Sequence, residues 1–286
     1  MEKARSGLDK VLVTGSEGFI GRATVKALGN GYEVIPFDAK LGQDITALSP
    51  LDEMEQYDSV IHLAAVSSTN WARVNPKGTF TTNVYGTYLL LLKSLERRVK
   101  HFVYASSYRV FNPHVSNPYI VSKMLEENIV NMFKDKLSTI GLRYTCVYGP
   151  EGFNKPHAMN VLNQIIKAAL DGTKIDIVGD GSQTRDFVFV EDVAWCNRCA
   201  LESGVQGVFD VGTGFQTRMN DAIRLVEEIT GKKVKVNYTR ECPEDYMRWQ
   251  QAQYHDLFRC PTSLEKGIEE CVRSYLQVGS QQGSTR

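Results

Sequence analysis

Over the first 150 positions, five short and nearly continuous apolar runs alternate with longer segments of helical periodicity, and this alternation restricts the fold more than any other feature. The runs are KVLVTG, YEVIPFD, DSVIHLAA, HFVYASS and IGLRYTCVYG. Each has the length and character of a strand buried on both faces. Helical patterns at 18–29, 80–97 and 118–135 separate them. Strands and helices in alternation imply right-handed βαβ crossovers, and hence an α/β chain with a doubly wound parallel sheet covered on both sides. After residue 150 the pattern loosens, with helix candidates at 158–171, 191–202, 217–230 and 262–275 and short strands between them. We therefore expect a first domain over 8–150 and a smaller α/β carboxy-terminal lobe over 151–277, partly interleaved with the first, for example at 186–211. The last residues, GSQQGSTR, lack apolar content, so 278–286 is expected to be a disordered tail.

The first run leads into TGSEGFIG, which places Gly15, Gly18 and Gly21 where the first strand turns into the first helix. Glycine there lets the backbone approach a pyrophosphate, and the helix amino terminus offers unpaired N–H groups at a positive dipole end. A plain turn needs no acidic residue at the end of the next strand. Here YEVIPFD ends in Asp38, 20 residues after Gly18. A carboxylate at that point accepts hydrogen bonds from adenosine ribose hydroxyls and repels a 2′-phosphate. With Ala39 next and no arginine close by, the pattern favours NAD over NADP as cofactor.

A second constellation is NPYIVSK, in which Tyr119 and Lys123 lie four apart at the start of a helix and share a face. An ammonium beside a phenol favours the phenolate, which suits Tyr119 to general-base work. Ser107, at the carboxyl end of the strand HFVYASS, projects into the same crevice and is placed to hydrogen-bond a hydroxyl being oxidised.

Charge and cysteine content narrow the field further. Lys+Arg and Asp+Glu each number 33, so no charge excess is available to hold nucleic acid or an acidic membrane. The most apolar run, TYLLLLK, is too short to span a bilayer, and the amino terminus lacks the hydrophobic stretch of a signal peptide. A soluble, cytoplasmic protein is expected. Its six cysteines then read as free thiols. Cys196 and Cys199 form a C-x-x-C, but within a helical pattern and without a second ligand pair, so no metal site is expected.

Taken in order, these motifs resemble the extended short-chain dehydrogenase/reductases, in the nucleotide-sugar epimerase and dehydratase group typified by UDP-galactose 4-epimerase. The likeness rests on the T-G-x-x-G-x-x-G spacing from Thr14 to Gly21, HLAA at 62–65, NVYGT at 83–87, ASS at 105–107, YIVSK at 119–123 and VYGP at 147–150. It continues through GDGSQTRDFVFVEDVA at 179–194 and FDVGTG at 209–214, spanning Val11 to Gly267. The resemblance implies a Rossmann-type NAD domain, a substrate lobe, and a nucleotide sugar as substrate. Ser107, Tyr119 and Lys123 match the family's catalytic triad, Lys123 also meeting the nicotinamide ribose. Gly15, Gly18, Phe19, Ile20, Gly21, Asp38, Leu63, Ala64 and Ala65 match its cofactor contacts. Asn83 matches a family asparagine beneath the site and reads equally well as a polar residue of the helix surface. Arg185 matches a residue that contacts the nucleotide diphosphate, a role suited to a guanidinium; its other reading is an ion pair with Asp186 or Asp192.

Two departures bear on the substrate. Only 11 residues separate Ser107 from Tyr119, where the family usually has a longer loop, so a more open sugar pocket is expected. TRECPED stands where the family commonly has Arg-Pro-Gly-Asp, placing Cys242 at a second diphosphate arginine, with Arg240 or Arg248 as replacements. The leading expectation is an NAD-dependent nucleotide-sugar epimerase, UDP-sugar 4-epimerase-like; the alternative is an NAD-dependent sugar or uronate dehydrogenase of the same family. Elimination of water is not expected, because Ser107 is followed by Tyr108 and Arg109 instead of an Asp-Glu pair, and the short loop offers only His114. The helices at 80–97 and 118–135 carry more apolar surface than one sheet-facing stripe needs, which with the family resemblance implies a homodimer.

Overall fold

The computed structural model describes residues 8–47, 52–53, 55–111, 116–154, 159–239 and 255–283. Its centre is a six-stranded sheet built from β1 (Lys10–Thr14), β2 (Glu33–Phe37), β3 (Ser59–His62), β4 (His101–Ser107), β5 (Ser138–Tyr144) and β10 (Gly207–Val211), in the order β10-β5-β4-β3-β1-β2. The pairs β1–β2, β1–β3 and β3–β4 are parallel. Val11, Leu12, Val13 and Thr14 of β1 are fully buried, as a central parallel strand requires. Strand β2 closes one edge and is half-exposed, which is why it tolerates Pro36, a residue with no ladder N–H.

Helices follow most strands. In the first half of the chain they are α1 (Phe19–Leu28), α2 (Thr69–Val74), α3 (Pro76–Phe80), α4 (Thr87–Glu96) and α5 (Pro118–Asn131). A π-helical segment, Thr81–Gly86, joins α3 to α4 within what the sequence suggested was one helix. Such wide turns recur at functional sites. The core here includes Leu12, Phe37, Tyr57, Val60, Leu90 and Phe102.

The chain divides into two compact units. The first comprises Met1–Val110, Ser116–Arg143 and Ala194–Phe209; the second comprises Phe111–Val115, Tyr144–Val193 and Asp210–Arg286. In the second, α6 (Val161–Asp171), α8 (Met219–Thr230) and α9 (Leu264–Gly283) pack around a core that includes Tyr148, Leu162, Ile165, Phe187, Val226 and Ile268. Three two-stranded pairs accompany them: β6 (Cys146–Tyr148) with β9 (Phe187–Phe189), β7 (Lys174–Val178) with β12 (Lys235–Thr239), and β8 (Thr184–Arg185) with β11 (Thr217–Arg218). Helix α7 (Val190–Ser203) carries the chain from the second unit back to the first.

Two expectations need correction. The run IGLRYTCVYG was read as one strand, yet it breaks at Thr145, whose N–H donates to the Val211 carbonyl while the next N–H, of Cys146, donates to the Asp186 carbonyl. The apolar content was right, but one continuous run serves two different sheets. The tail expected from 278 is also shorter, because α9 continues to Gly283. Buried Ile268 and Cys271 anchor that helix, and once anchored it propagates cheaply through polar residues such as Gln281 and Gln282.

Cys196 is buried on α7 and Cys199 half-buried beside it, and both are free thiols. Among the described residues no cluster of three metal-ligating side chains occurs. Nor, among them, is any helix long and apolar enough to cross a membrane.

Candidate active site

The glycine turn is built around contacts that leave no space for side chains. Gly15 has φ +70°, and a Cβ there would lie 2.7 Å from the Ala64 nitrogen; a Cβ on Gly21 would lie 2.0 Å from the Gly15 oxygen. Gly18 caps α1 without contributing a side chain, and the first turn of α1 contains no acidic residue. Ser16 Oγ is buried there without a hydrogen-bond partner. Free helix-terminal N–H groups, an unpartnered hydroxyl and a first helical turn without acidic side chains together fit the diphosphate of a dinucleotide. Phe19 and Ile20 open α1 directly behind the turn.

Asp38 follows β2 and ties it to this turn. Its carboxylate accepts from Glu17 N–H at 3.0 Å and Lys40 N–H at 2.9 Å. Each oxygen retains a lone pair for a ribose hydroxyl. The sequence reading noted the absence of arginine but passed over Lys40, whose Nζ donates to the Glu17 carbonyl at 3.0 Å. That ammonium tempers the repulsion a 2′-phosphate would meet.

Leu63, Ala64 and Ala65 follow β3, and the first two are fixed through Thr14 of β1, whose Oγ1 accepts from both amides at 3.2 Å. Thr14 Oγ1 lies 2.7 Å from His62 Nδ1, and His62 Nε2 lies 2.8 Å from Thr87 Oγ1, which donates to the Asn83 carbonyl at 2.6 Å. These donors fix one direction along the chain: Thr14 donates to Nδ1, and Nε2–H donates to Thr87. Burial, helped by the nearby Lys123 charge, holds His62 down to about 3, so it stays neutral.

Asn83 lies in the π-helical segment and is fully buried, which rules out the surface reading. Its Oδ1 accepts from Val66 N–H at 2.8 Å, and its Nδ2 donates to the Val66 carbonyl at 3.1 Å and to Ser122 Oγ at 2.9 Å. Ser122 in turn donates to the Tyr119 carbonyl at 2.7 Å. Asn83 thus links the chain after β3 to the turn of α5 that carries Tyr119.

The three proposed catalytic side chains come from two elements of the first unit. Ser107 ends β4 and is buried, its Oγ accepting from Arg109 N–H at 3.3 Å. Tyr119 and Lys123 occupy the first two turns of α5, which starts sharply because Asn117 caps the Tyr119 N–H at 3.0 Å and Pro118 fills the first helical position. Tyr119 remains half-exposed. Lys123 is buried and donates 2.7 Å bonds to the Ala105 carbonyl and to Glu126 Oε2. Burial pushes the Glu126 carboxyl up to about 7, with the Lys123 ammonium opposing the rise. Next to it Glu127 is fully engaged, accepting from Arg143 Nε and Nη2 at 2.8 and 2.6 Å and from Ser106 Oγ at 2.5 Å. The sequence reading missed both glutamates, although Glu126 lies three positions after Lys123 and seven after Tyr119, a spacing that keeps all three on one helical face.

Arg185 belongs to the second unit, on β8, where Thr217 of β11 pairs with it. It is 5% exposed, and its Nη1 donates to the Thr184 carbonyl at 2.7 Å. The acids suggested as its partners have engagements of their own: Asp186 accepts from Thr213 N–H, Thr213 Oγ1 and Gly214 N–H, and Asp192 from Thr262 N–H and Oγ1. His114, Arg240, Cys242 and Arg248 lie outside the described residues.

The chain is similar in sequence and fold to known proteins. The profile of the NAD dependent epimerase/dehydratase family matches residues 11–212. A putative UDP-glucose 4-epimerase of Methanocaldococcus jannaschii is 30% identical over 263 residues, covering 80% of this chain and 85% of that protein. Human dTDP-D-glucose 4,6-dehydratase is 25% identical over 317 residues, covering 93% and 89%. Among solved structures, UDP-glucose 4-epimerase of Thermotoga maritima with UDP-glucose superposes with a TM-score of 0.85 at 28% identity, covering 94% of this chain and 99% of that one.

Proposed function

From the premise that this chain belongs to the NAD-dependent epimerase/dehydratase family, we propose that it epimerises a nucleotide sugar, in the manner of a UDP-sugar 4-epimerase, by transiently oxidising one sugar hydroxyl. The observation that carries this reading is the placing of Ser107, Tyr119 and Lys123 on the carboxyl end of β4 and the first turns of α5. Bound NAD supplies a hydride acceptor that can give back what it takes. Gly15, Gly18 and the start of α1 hold its diphosphate, and Asp38 its ribose hydroxyls. Lys123 has one N–H left after Ala105 and Glu126, which it offers to the nicotinamide ribose, while its charge favours the Tyr119 phenolate. Tyr119 takes the hydroxyl proton during oxidation and returns it after the keto sugar has turned over, while Ser107 holds the oxygen. Arg185 binds the substrate's diphosphate through paired donors.

Dehydration, the reaction of the human relative, calls for an acid that protonates a departing hydroxide. After Ser107 this chain has Tyr108, which is buried, and Arg109; neither is a carboxylic acid. The 11-residue link from Ser107 to Tyr119 favours a second reading, net oxidation of a sugar with a smaller enclosure. We further propose a homodimer through α4 and α5. Tyr85, just before α4, Tyr88 on α4, Leu125 on α5 and Met132 just after it all stand exposed, an apolar face that a second copy would cover.

The test is incubation with a panel of UDP-, dTDP- and ADP-sugars and free uronic acids, following product identity and NADH absorbance together. An isomeric product without net NADH supports epimerisation. Stoichiometric NADH with product two hydrogens lighter supports the second reading, and loss of water overturns both.

A further inference from the structure

The ion pair that holds Lys123 is unlike the other one on the same helix. Its side chains are 4% and 1% exposed, and the oxygen of Glu126 that does not meet Lys123, Oε1, is buried with no hydrogen-bond partner. Glu127, one position on, accepts from two guanidinium N–H groups and a hydroxyl, with both of its oxygens bonded. A half-satisfied buried carboxylate is costly as a structural element, and a neutral side chain of similar shape would pack there more cheaply. What the carboxylate provides that a neutral group does not is negative charge within 2.7 Å of the Lys123 ammonium, on the residue one helical turn after the proposed base.

We infer that Glu126 is a positioning residue for proton transfer at Tyr119: it draws the Lys123 ammonium along the helix toward β4 and sets, through its own protonation, how much positive charge Lys123 presents to the phenol. This rests on the reading of Tyr119 as general base. The charges that act on Glu126 are Lys123, which opposes its protonation, and Glu127, which favours it. On α5 itself the neighbours are Lys123, Glu127 and, at the helix start, Tyr119. From β3, His62 is neutral; from β4, burial and the two glutamates hold Tyr104 in its phenol form; from β5, Arg143 is bonded to Glu127. From the π-helical segment, the side chain that reaches this helix is the uncharged amide of Asn83. Burial, with Glu127 adding to it, pushes the Glu126 carboxyl up to about 7 against the pull of Lys123. Below neutrality Glu126 carries a proton and Lys123 acts on Tyr119 with its full charge. Above neutrality the carboxylate offsets that charge just when hydroxide itself favours the phenolate.

The experiment titrates tyrosinate absorbance in the NAD-loaded enzyme for wild type and Glu126→Gln, with Tyr119→Phe identifying the Tyr119 signal. The Gln variant should form the Tyr119 phenolate at a lower pH than wild type. Superimposable titrations would overturn the inference. Should Glu126→Gln not fold, ¹³C-carboxyl NMR of the wild type decides: a glutamate carboxyl titrating near neutrality, absent from a Glu126→Asp variant, supports the role, and titration of every glutamate in the ordinary acidic range overturns it. Neither readout needs a turned-over substrate. Failure of every nucleotide sugar to react would therefore count against the proposed function, whereas unchanged titrations in an enzyme that turns over would count against Glu126 alone.

Discussion

In the first unit, Ser107, Tyr119 and Lys123 stand on a seven-residue strand and a fourteen-residue helix, whereas in the second Arg185 stands on a two-residue strand. The first arrangement is braced through its interior: Thr14, His62, Thr87 and Asn83 form one directed run of hydrogen bonds, and Asn83 with Ser122 ties the cofactor-side loop to the Tyr119 turn. The second depends on short pairings, β8–β11 and the Asp186 bonds to Thr213 and Gly214. Long, internally bonded elements fix reacting groups to within small tolerances, and short ones leave contacts that are easily varied. On the proposed reading, such a molecule would keep one chemistry while its choice of substrate is set elsewhere.

Substitutions in each unit should therefore have different kinetic signatures. The largest effect belongs to Tyr119→Phe, expected to lower kcat by ~10²- to 10⁴-fold while NAD affinity, measured by calorimetry, is nearly unchanged. A variant that kept its rate would remove the chemistry from the first unit. Lys123→Met should weaken NAD binding and rate together. Arg185→Ala should raise KM for a nucleotide sugar by about 10- to 100-fold with a smaller change in kcat, the worth of charge-assisted bonds to a diphosphate. A loss confined to kcat would place Arg185 with the chemistry and erase the contrast.

Asn83→Leu should act on stability first. It strands the partly buried N–H and carbonyl of Val66, at a cost of about 1–3 kcal/mol for each unsatisfied group, read as a Tm lowered by several degrees. The smallest effect is expected from Asp38→Ala, which should narrow the preference for NAD over NADP several-fold, since Lys40 already softens it. Glu126 adds a pH signature. Its folded-state carboxyl is raised above the unfolded value of 4.5 to about 7, so wild-type stability should fall as pH rises between those values, where the native state holds the extra proton. Tm measured across that window should slope downward more steeply for wild type than for Glu126→Gln.

How far the sequence shows these features follows the same division. Strand runs, the glycine turn, Asp38 and the Tyr119–Lys123 spacing are local patterns, and the structure places them on adjoining elements of the first unit. Less visible were features that depend on partners distant in sequence. Asn83 looked equally like a surface residue because its partners, Val66 and Ser122, lie 17 and 39 positions away. The π-helical turn has no composition of its own, and the break at Thr145 is set by Val211 and Asp186, residues that sequence periodicity does not connect to it. Glu126 was readable by spacing, yet only its burial beside Lys123 distinguishes it from an ordinary helix-surface acid.

The central claim is that the sugar is oxidised and reduced again at one carbon within a single binding event. It is tested most directly by converting UDP-glucose, or whichever panel sugar reacts, in deuterium oxide and weighing the epimeric product after its exchangeable hydroxyl hydrogens have been washed back to protium. The account predicts an epimer of unchanged mass, because the hydrogen on the inverted carbon is returned without meeting solvent. An epimer carrying one carbon-bound deuterium, or a product lighter by one water, would contradict it.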